Sequence, residues 1–518
     1  MHHCLHIEEI LGRIFEFVLY DVVGTLKTYD KRSVLALSKT CRIFHMPALQ
    51  VLWKNLFNAV PLLLTMPDDL WQVEDADGHA PRTLSFKRDV RPDDWERFDM
   101  YASFVRHLGV GEMQGQGRSS LNYVAFGASV RQQLESRTPT VSLLPNVRSI
   151  VSWTNDIPLT SLFLAPRVHY LKIVMHSDHT DDLSSLAREI PLRSPNLRSL
   201  HLTESSRWNV SQKAQFIDAL AEVLRHLQLE EFVCSWFPLS VDMLSAVLEM
   251  PDLRSMAIYA TMPDLAQVMD THPIRDARIR KFTLRTPLLV PSLLPHIISS
   301  LHPSILESLS ITARCASCNA GELTDLISTL ANTCSPEHLS ELCIDSGRHD
   351  PVNAAAAVMD FKILKPLLPF MHLRRISLPA HPFALTDAEV KDMAMAWPNL
   401  EDLCFWQCQY TVPEGSSTPR PSLRGLLWLA TYCRKLFTLT FPFHSPSADM
   451  EEFTEDEMGL CEGHNLNFLD VGFSEIESAE RVARFVSRVF PNLTLLAFRV
   501  GQPYYGRWET VQELIQHS

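Results

Sequence analysis

The chain has 518 residues, 46% of them hydrophobic and 21% charged, a balance that belongs to a folded protein and excludes a largely disordered one. Its formal charge of −13 argues against nucleic acid as a partner, because phosphate binding needs a basic stripe. The eleven cysteines form no dense framework, and the opening "MHHCLHIEEILGRIF" lacks the basic start and unbroken apolar core of a secretion signal, so a cytoplasmic or nuclear protein with reduced thiols is expected.

From the start, Ile7, Ile10, Leu11, Ile14, Phe15, Val18 and Leu19 recur at i, i+3, i+4, i+7 and i+8, which predicts an amphipathic helix over 7–19. Glu8 and Glu9 sit in its first turn, where the helix dipole favours negative charge. A polar stretch around Gly24 separates it from a second predicted helix carrying Val34, Leu35, Cys41 and Phe44. Pro47 suits the first turn of a third helix, with Leu49, Leu52, Trp53 and Leu56 on one face. Three short helices make a marginal core, near the size at which small domains need outside help. Their apolar stripe therefore packs on the chain's own body or on another protein.

Leu5, "IEEILGRIF" and "VLALSKTCRIFHMPALQVLWKNL" together resemble the F-box, especially that of the large fungal group of F-box proteins, over residues 4–57. The family's Cys-Arg-x-Phe motif and late Leu-Trp match Cys41, Arg42, Phe44, Leu52 and Trp53, while His6 stands where the family usually has Pro. The resemblance implies that this module docks on the Skp adaptor of a cullin–RING ubiquitin ligase. Its expected contacts are Leu5, Ile10, Leu11, Ile14, Phe15, Leu35, Phe44 and Trp53. The other reading, in which the helices cap the following domain with the stripe turned inward, stays open.

Residues 58–140 read as a helical and loop connector. "PLLLTMPDDLW" suggests a short apolar strand or turn, "EDADGHAPRT" an exposed loop, and "DDWERFDMYASFVRHL" (93–108) a helix with Trp95, Phe98, Ala102, Val105 and Leu108 inward. "GVGEMQGQGRSS" fits neither a dinucleotide fingerprint nor a P-loop and reads as a loop, and "FGASVRQQLESR" as a helix.

From Val147 to the end (141–518), a Leu-x-x-Leu-x-Leu-like strand signal recurs. It begins at Val147, Val168, Leu197, Leu229, Leu253, Ile279, Leu306, Leu339, Leu373, Leu400, Leu436, Leu466 and Leu493, about 29 residues apart on average. Five starts follow a turn dipeptide: Pro145-Asn146, Pro195-Asn196, Pro251-Asp252, Pro398-Asn399 and Pro491-Asn492. Between strands lie helical segments such as "SQKAQFIDALAEVLRHL", "AGELTDLISTLANTC" and "ESAERVARFVSRVF". "TPLLVPSLLPHIISSL" is broken by Pro291 and Pro295, so no membrane span is expected. Alternating strand and helix predicts an α/β, leucine-rich-repeat-like solenoid, a horseshoe that resembles the degenerate repeat region following the F-box in many such proteins. The Asn or Cys usual after the last Leu appears only as Asn155 and Cys408, so no regular asparagine ladder is expected. "SADMEEFTEDEMGL" reads as an acidic surface insertion.

Catalytic motifs are not found: no Gly-x-Ser-x-Gly, no His-Glu-x-x-His and no Gly-x-x-x-x-Gly-Lys. "CASC" (315–318) and "MHHCLH" lack the further ligands of a built zinc site, and no cofactor or metal is expected. Side chains alternating with the buried apolar positions would line a binding face for a target protein. They include Ser199, His201, Ser255, Tyr259, Lys281, Arg285, Asp402 and Trp406. The expectation is a non-catalytic substrate receptor; the runner-up is a repeat scaffold whose F-box-like segment no longer binds the adaptor.

Overall fold

The computed structural model describes residues 7–23, 26–74, 82–110, 124–138, 142–153, 157–175, 180–204, 220–271, 278–301, 303–316, 320–345, 359–378, 383–405, 420–445, 453–459, 461, 464–499 and 504–516. Two units divide the chain, Met1–Trp236 and Phe237–Ser518.

The first unit opens with helix α1 (Glu8–Leu19), an antiparallel hairpin of β1 (Tyr20–Val23) and β2 (Leu26–Tyr29), helix α2 (Lys31–Ser38) and helix α3 (Arg42–Lys54). The hairpin occupies the polar stretch that separates the first two helices. Asp30 caps α2, its carboxylate accepting from the Ser33 amide at 3.0 Å. The second and third helices divide earlier than their sequence predicts. Cys41 is extended (φ −155°, ψ 164°), so α2 ends at Ser38 and Phe44 belongs to α3. Pro47 is not in the first turn of α3 but at its sixth residue, where its missing N–H leaves the Ile43 carbonyl without a helical donor. Packing outweighs that loss: Ala48 and Val51 on the following turn close a core with Leu11, Phe15, Leu19 and Val34.

Strand β3 (Asn55–Leu56) leads directly out of α3. After it come β4 (Trp71–Glu74), β5 (Arg82–Phe86), β6 (His107–Val110), β7 (Val124–Phe126), β8 (Ser149–Trp153), β9 (Tyr170–Met175), β10 (Ser199–Glu204) and β11 (Glu231–Pro238). Strands β3, β6, β8, β9, β10 and β11 pair in parallel in that order, while β4, β5 and β7 form a small separate sheet. The helix predicted over 93–108 stops at Ala102, and Val105-Leu108-Val110 instead repeats the strand signal. Just past its pairing with β3, the backbone of β6 passes so close to the Phe57 carbonyl oxygen that a Cβ at Gly109 would collide with it, an approach only glycine permits. The parallel ladder thus begins before 141, with β3 at the end of the F-box-like segment and β6 inside the segment read as a connector. "PLLLTMPDDLW" forms a helical turn (Val60–Leu63) and then enters β4 at Trp71, and the helix predicted after it is Ala128–Arg137.

The second unit continues with β12 (Ser255–Tyr259), β13 (Lys281–Leu289), β14 (Ser308–Ala316), β15 (Glu341–Asp345), β16 (Met359–Asp360), β17 (Arg375–Leu378), β18 (Phe383–Ala384), β19 (Asp402–Phe405), β20 (Thr438–Thr440), β21 (His444–Ser445), β22 (Phe468–Asp470), β23 (Glu475–Ile476) and β24 (Leu495–Ala497). Strands β12, β13, β14, β15, β17, β19, β20, β22 and β24 form a parallel ladder, with two-residue side pairs β16–β18 and β21–β23. Helices such as Ala320–Thr333 and Ala479–Val489 return the chain between strands. An N-terminal helical module followed by repeating strand–helix units is therefore what the sequence folds into.

All thirteen apolar starts read from the sequence lie two residues before a ladder strand. The cause is local. The first apolar residue drops into the core, the next carbonyl accepts from the following repeat, and the strand then sends alternate side chains inward. Arg280 shows the pattern: its carbonyl accepts from the amides of both Glu307 (2.7 Å) and Ser308 (3.0 Å). Leu306, Leu309 and Ile311 are fully buried beside it. Four repeats, no two of them adjacent, carry an inter-repeat asparagine bond on the turn before the strand. Asn146 donates from Nδ2 to the Ser103 carbonyl (2.8 Å), Asn196 to Pro166 (2.9 Å), Asn399 to Met371 (3.1 Å) and Asn492 to His464 (3.1 Å). Each bond fastens one repeat to the one before it. Asn155 and Cys408, the two positions that matched the usual marker after the last Leu, lie outside the described residues.

Candidate interaction surfaces

Helix α1 carries two adjacent apolar stripes, and they have different fates. Leu11 and Phe15 are 1% and 2% exposed in the module's core, and Phe44 meets Phe15 edge to face with ring centroids 5.4 Å apart. Trp53 stacks on Tyr101 at 4.4 Å, which joins α3 to the helix Glu96–Ala102. These four side chains hold the first unit together. Ile10 and Ile14 face outward, at 37% and 40% exposure, and so does Leu35 on α2 at 45%. Leu5 lies outside the described residues, as does His6. Two further side chains of the outward stripe are absent from the expected adaptor contacts: Ile7 (46%), which the predicted apolar face includes, and Phe17 (79%), which it does not. Their signal was present in the 7, 10, 14, 17 spacing, but periodicity does not say which half of a wide apolar face turns inward. Burying a fully exposed side chain of this kind contributes about 1.5–3 kcal/mol, so the remaining exposure of each aliphatic side chain is worth about half of that or less and that of Phe17 most of it.

On the sheet face of the first unit, Ser199 and His201 join a polar group with Tyr170 and Glu231. Ser199 Oγ donates to Glu231 Oε2 at 2.6 Å, and His201 Nε2 lies 3.2 Å from the same oxygen. The Tyr170 hydroxyl is 3.4 Å from His201 Nδ1. Burial first, and then the Glu231 charge, raises the Tyr170 phenol above its ordinary value. Tyr170 and Glu231 open the strands of two weaker repeats, and the equivalence of strand-opening positions was the signal that could have found them.

In the second unit, Ser255 is in register with Lys281 and Tyr259 with Arg285, whose guanidinium lies 5.9 Å from the Tyr259 ring centroid. Along the strand-opening column the order is Lys281, Ser308, Glu341, Arg375, Asp402. Ser308 Oγ donates to Glu341 at 2.8 Å, and Arg375 stands 3.6 Å from the other Glu341 oxygen. Burial raises the Asp402 carboxyl above the usual carboxylate value, with Arg375 opposing it. Trp406 lies outside the described residues.

Burial pushes the Cys334 and Cys343 thiols up to about 11 and those of Cys404 and Cys433 to about 12, conditions that disfavour a thiolate. Among the described residues, no three His, Cys, Asp or Glu side chains come together as a metal site, and no helix is long and apolar enough to cross a membrane. "CASC" and "MHHCLH" extend beyond the described residues, as does half of the acidic insertion, whose described half forms a short helix (Glu455–Gly459) with Met458 buried and Glu455 and Glu457 paired to Arg488 and Arg424.

No protein-family model and no curated protein matches the chain. Among solved structures, the chain is similar to one described as the crystal structure of the Rad7 and Elc1 complex in yeast. The identity is 15% over 72% of this chain and 85% of that one, with a TM-score of 0.35.

Proposed function

We propose that the chain is a non-catalytic substrate receptor of a cullin–RING ubiquitin ligase. In this reading α1 docks on the Skp adaptor through Ile7, Ile10, Ile14 and Phe17, with Leu5 and Leu35 alongside. The sheet faces of the repeats hold a target protein through Ser199, His201, Ser255, Tyr259, Lys281, Arg285, Asp402 and Trp406. Ubiquitin transfer is then accelerated by proximity.

One observation carries the reading: the three-helix module has a packed core of its own and still turns an isoleucine–phenylalanine stripe outward. A module that merely capped the next domain would bury that stripe. Clustered aliphatic and aromatic side chains in one desolvated patch are what a small, tight interface requires.

The test is co-purification of the full chain with the Skp adaptor, beside an Ile10→Asp, Ile14→Asp variant. Phe15 and Trp53 are left intact because they support the first unit, and circular dichroism checks that the variant folds. Retention by the parent and at least about tenfold weaker retention by the folded variant is the expected result. A folded parent that fails to retain the adaptor would transfer the assignment to the scaffold reading.

A further inference from the structure

The chain is acidic overall, with a formal charge of −13, yet one edge of the first unit gathers cations. The residue just before each ladder strand is Arg106, Arg148, His169 and Arg198 in four successive repeats. They are joined backbone to backbone: the Arg148 amide donates to the Arg106 carbonyl (2.8 Å), His169 to Arg148 (3.0 Å) and Arg198 to His169 (2.9 Å). Parallel strands lie about 4.8 Å apart, so these four rungs span about 14 Å. Arg148, His169 and Arg198 are exposed, and Arg106 is half-buried with Nη1 donating to the Ser103 and Val105 carbonyls. Arg167 is also exposed and donates to Asn146 Oδ1.

The side chains feel one another's charge. Burial first, and then Arg148 and Arg167, lowers Arg106 below the ordinary guanidinium value. His169 is likewise lowered by burial and then by Arg148 and Arg198. Glu230 pairs with Arg198 at 2.9 Å and closes the row, whereas Arg148 has no ion-pair partner among the described residues.

We infer that this edge binds an extended, carboxylate-rich protein segment with acidic side chains at alternate positions. The row is linear, with an arginine on three of its four rungs and a largely neutral His169 on the other, so the charge is strung out along the edge. In an extended peptide, residues i, i+2 and i+4 present one face and span about 14 Å, the length of the row. A nucleic acid fits less well, because so short a row meets few phosphates while the acidic remainder of the chain repels a long polyanion. The inference rests on the proposed receptor role only in taking the segment as part of the target. Peptide binding is measured without adaptor, so its failure leaves the adaptor assay untouched.

The experiment is fluorescence anisotropy on the full chain with three labelled probes: a short peptide alternating Asp or Glu with Ser, its Asn/Gln counterpart, and single-stranded oligo-deoxythymidine. Binding of the acidic peptide is expected to weaken as salt rises from about 50 to about 300 mM, because the screening length shrinks to within the row. An Arg148→Glu, Arg198→Glu variant loses at least about tenfold in affinity, and an Arg148→Gln, Arg198→Gln variant loses a smaller share while keeping the repeats neutral. Arg225→Glu, an exposed change in the turn after a helix, leaves binding unchanged. Equal binding of the acidic and amide peptides, equal binding by folded parent and variants, or tighter binding of the oligonucleotide would overturn the inference.

Discussion

The three-helix module and the repeat ladder use apolar residues in opposite ways. In the ladder the apolar columns are spent inward: Phe282, Leu284, Leu309, Ile311, Leu342 and Ile344 are all 0% exposed. The strand-opening positions show polar or charged side chains such as Lys281, Glu341 and Arg375, and the large apolar side chains that are exposed, such as Leu288 on β13 and Leu495 on β24 at 52% each, stand singly on separate strands. In α1 one stripe is buried and its neighbour is not, from Ile10 at 37% to Phe17 at 79%. A repeat can always cover its apolar face with the next repeat. The three-helix module meets the helix Glu96–Ala102 through Trp53 and still leaves Ile10, Ile14 and Phe17 exposed, a surplus of apolar surface that a partner would cover.

The largest test of that contrast is a ladder core truncation. Phe282→Ala removes a fully buried ring between two paired strands and should cost about 3–5 kcal/mol of stability. Urea unfolding followed by circular dichroism would read it as an earlier transition. A change under about 1 kcal/mol would mean that the second unit is not packed as a single core.

A smaller loss tests how the repeats are fastened. Asn399→Ala deletes the 3.1 Å bond to the Met371 carbonyl and the acceptor of the 2.8 Å bond from Lys435 Nζ, and should cost about 0.5–1.5 kcal/mol. Asn399→Asp removes the donor to Met371 while keeping an acceptor for Lys435, and so isolates the inter-repeat bond. If both substitutions leave the urea midpoint unchanged, these asparagine bonds do not stabilise the stack.

The pH dependence separates the ladder from the module in another way. His464 is 1% exposed, with Nε2 placed 3.1 Å from the Cys433 carbonyl and Nδ1 accepting from the Leu466 amide at 3.1 Å. Both nitrogens are therefore engaged as in a neutral ring, and a second ring proton would face an N–H. Burial holds its pKa below the ordinary 6.5, against a smaller opposing effect of the Cys433 hydrogen bond. The unfolded chain takes up this proton first, so the stabilising contribution is complete above about pH 6.5 and declines as pH falls through the folded value. A His464→Gln variant should show a flatter stability profile between about pH 7.5 and pH 5 than the parent. An equally steep profile would assign the dependence to other groups, with His107 and His169 the first to examine, since both are lowered in the same direction.

How much of this could be read in the sequence follows from where the information lies. The thirteen strand starts were legible because apolar spacing and the Pro-Asn turns are local. Strand β6 was missed, since Val105 and Leu108 also suit a helix and only pairing with β3 and β8 decides between the two. The α3 boundary was displaced because Pro47 favours a first turn in isolation, and packing of Ala48 and Val51 prevailed. On the sheet faces, Ser199 and His201 were named but Tyr170 and Glu231 were not; partners across strands belong to register, which no single repeat encodes.

The smallest expected effect on stability is also the one that most sharply separates module from ladder. Phe17 is 79% exposed, so Phe17→Ser removes a large ring that contributes little to the folded chain alone, and stability should shift by no more than about 0.5 kcal/mol. Adaptor retention, in contrast, should fall, because the same ring would be buried in the complex. Phe15→Ser, two residues earlier and 2% exposed, should do the reverse in the isolated chain, with a loss of several kcal/mol. Two phenylalanines on one helix then report different equilibria, one folding and the other association. If Phe17→Ser destabilises the isolated chain as much as Phe15→Ser does, the outward stripe already has a partner within the chain and the case for a docking face is lost.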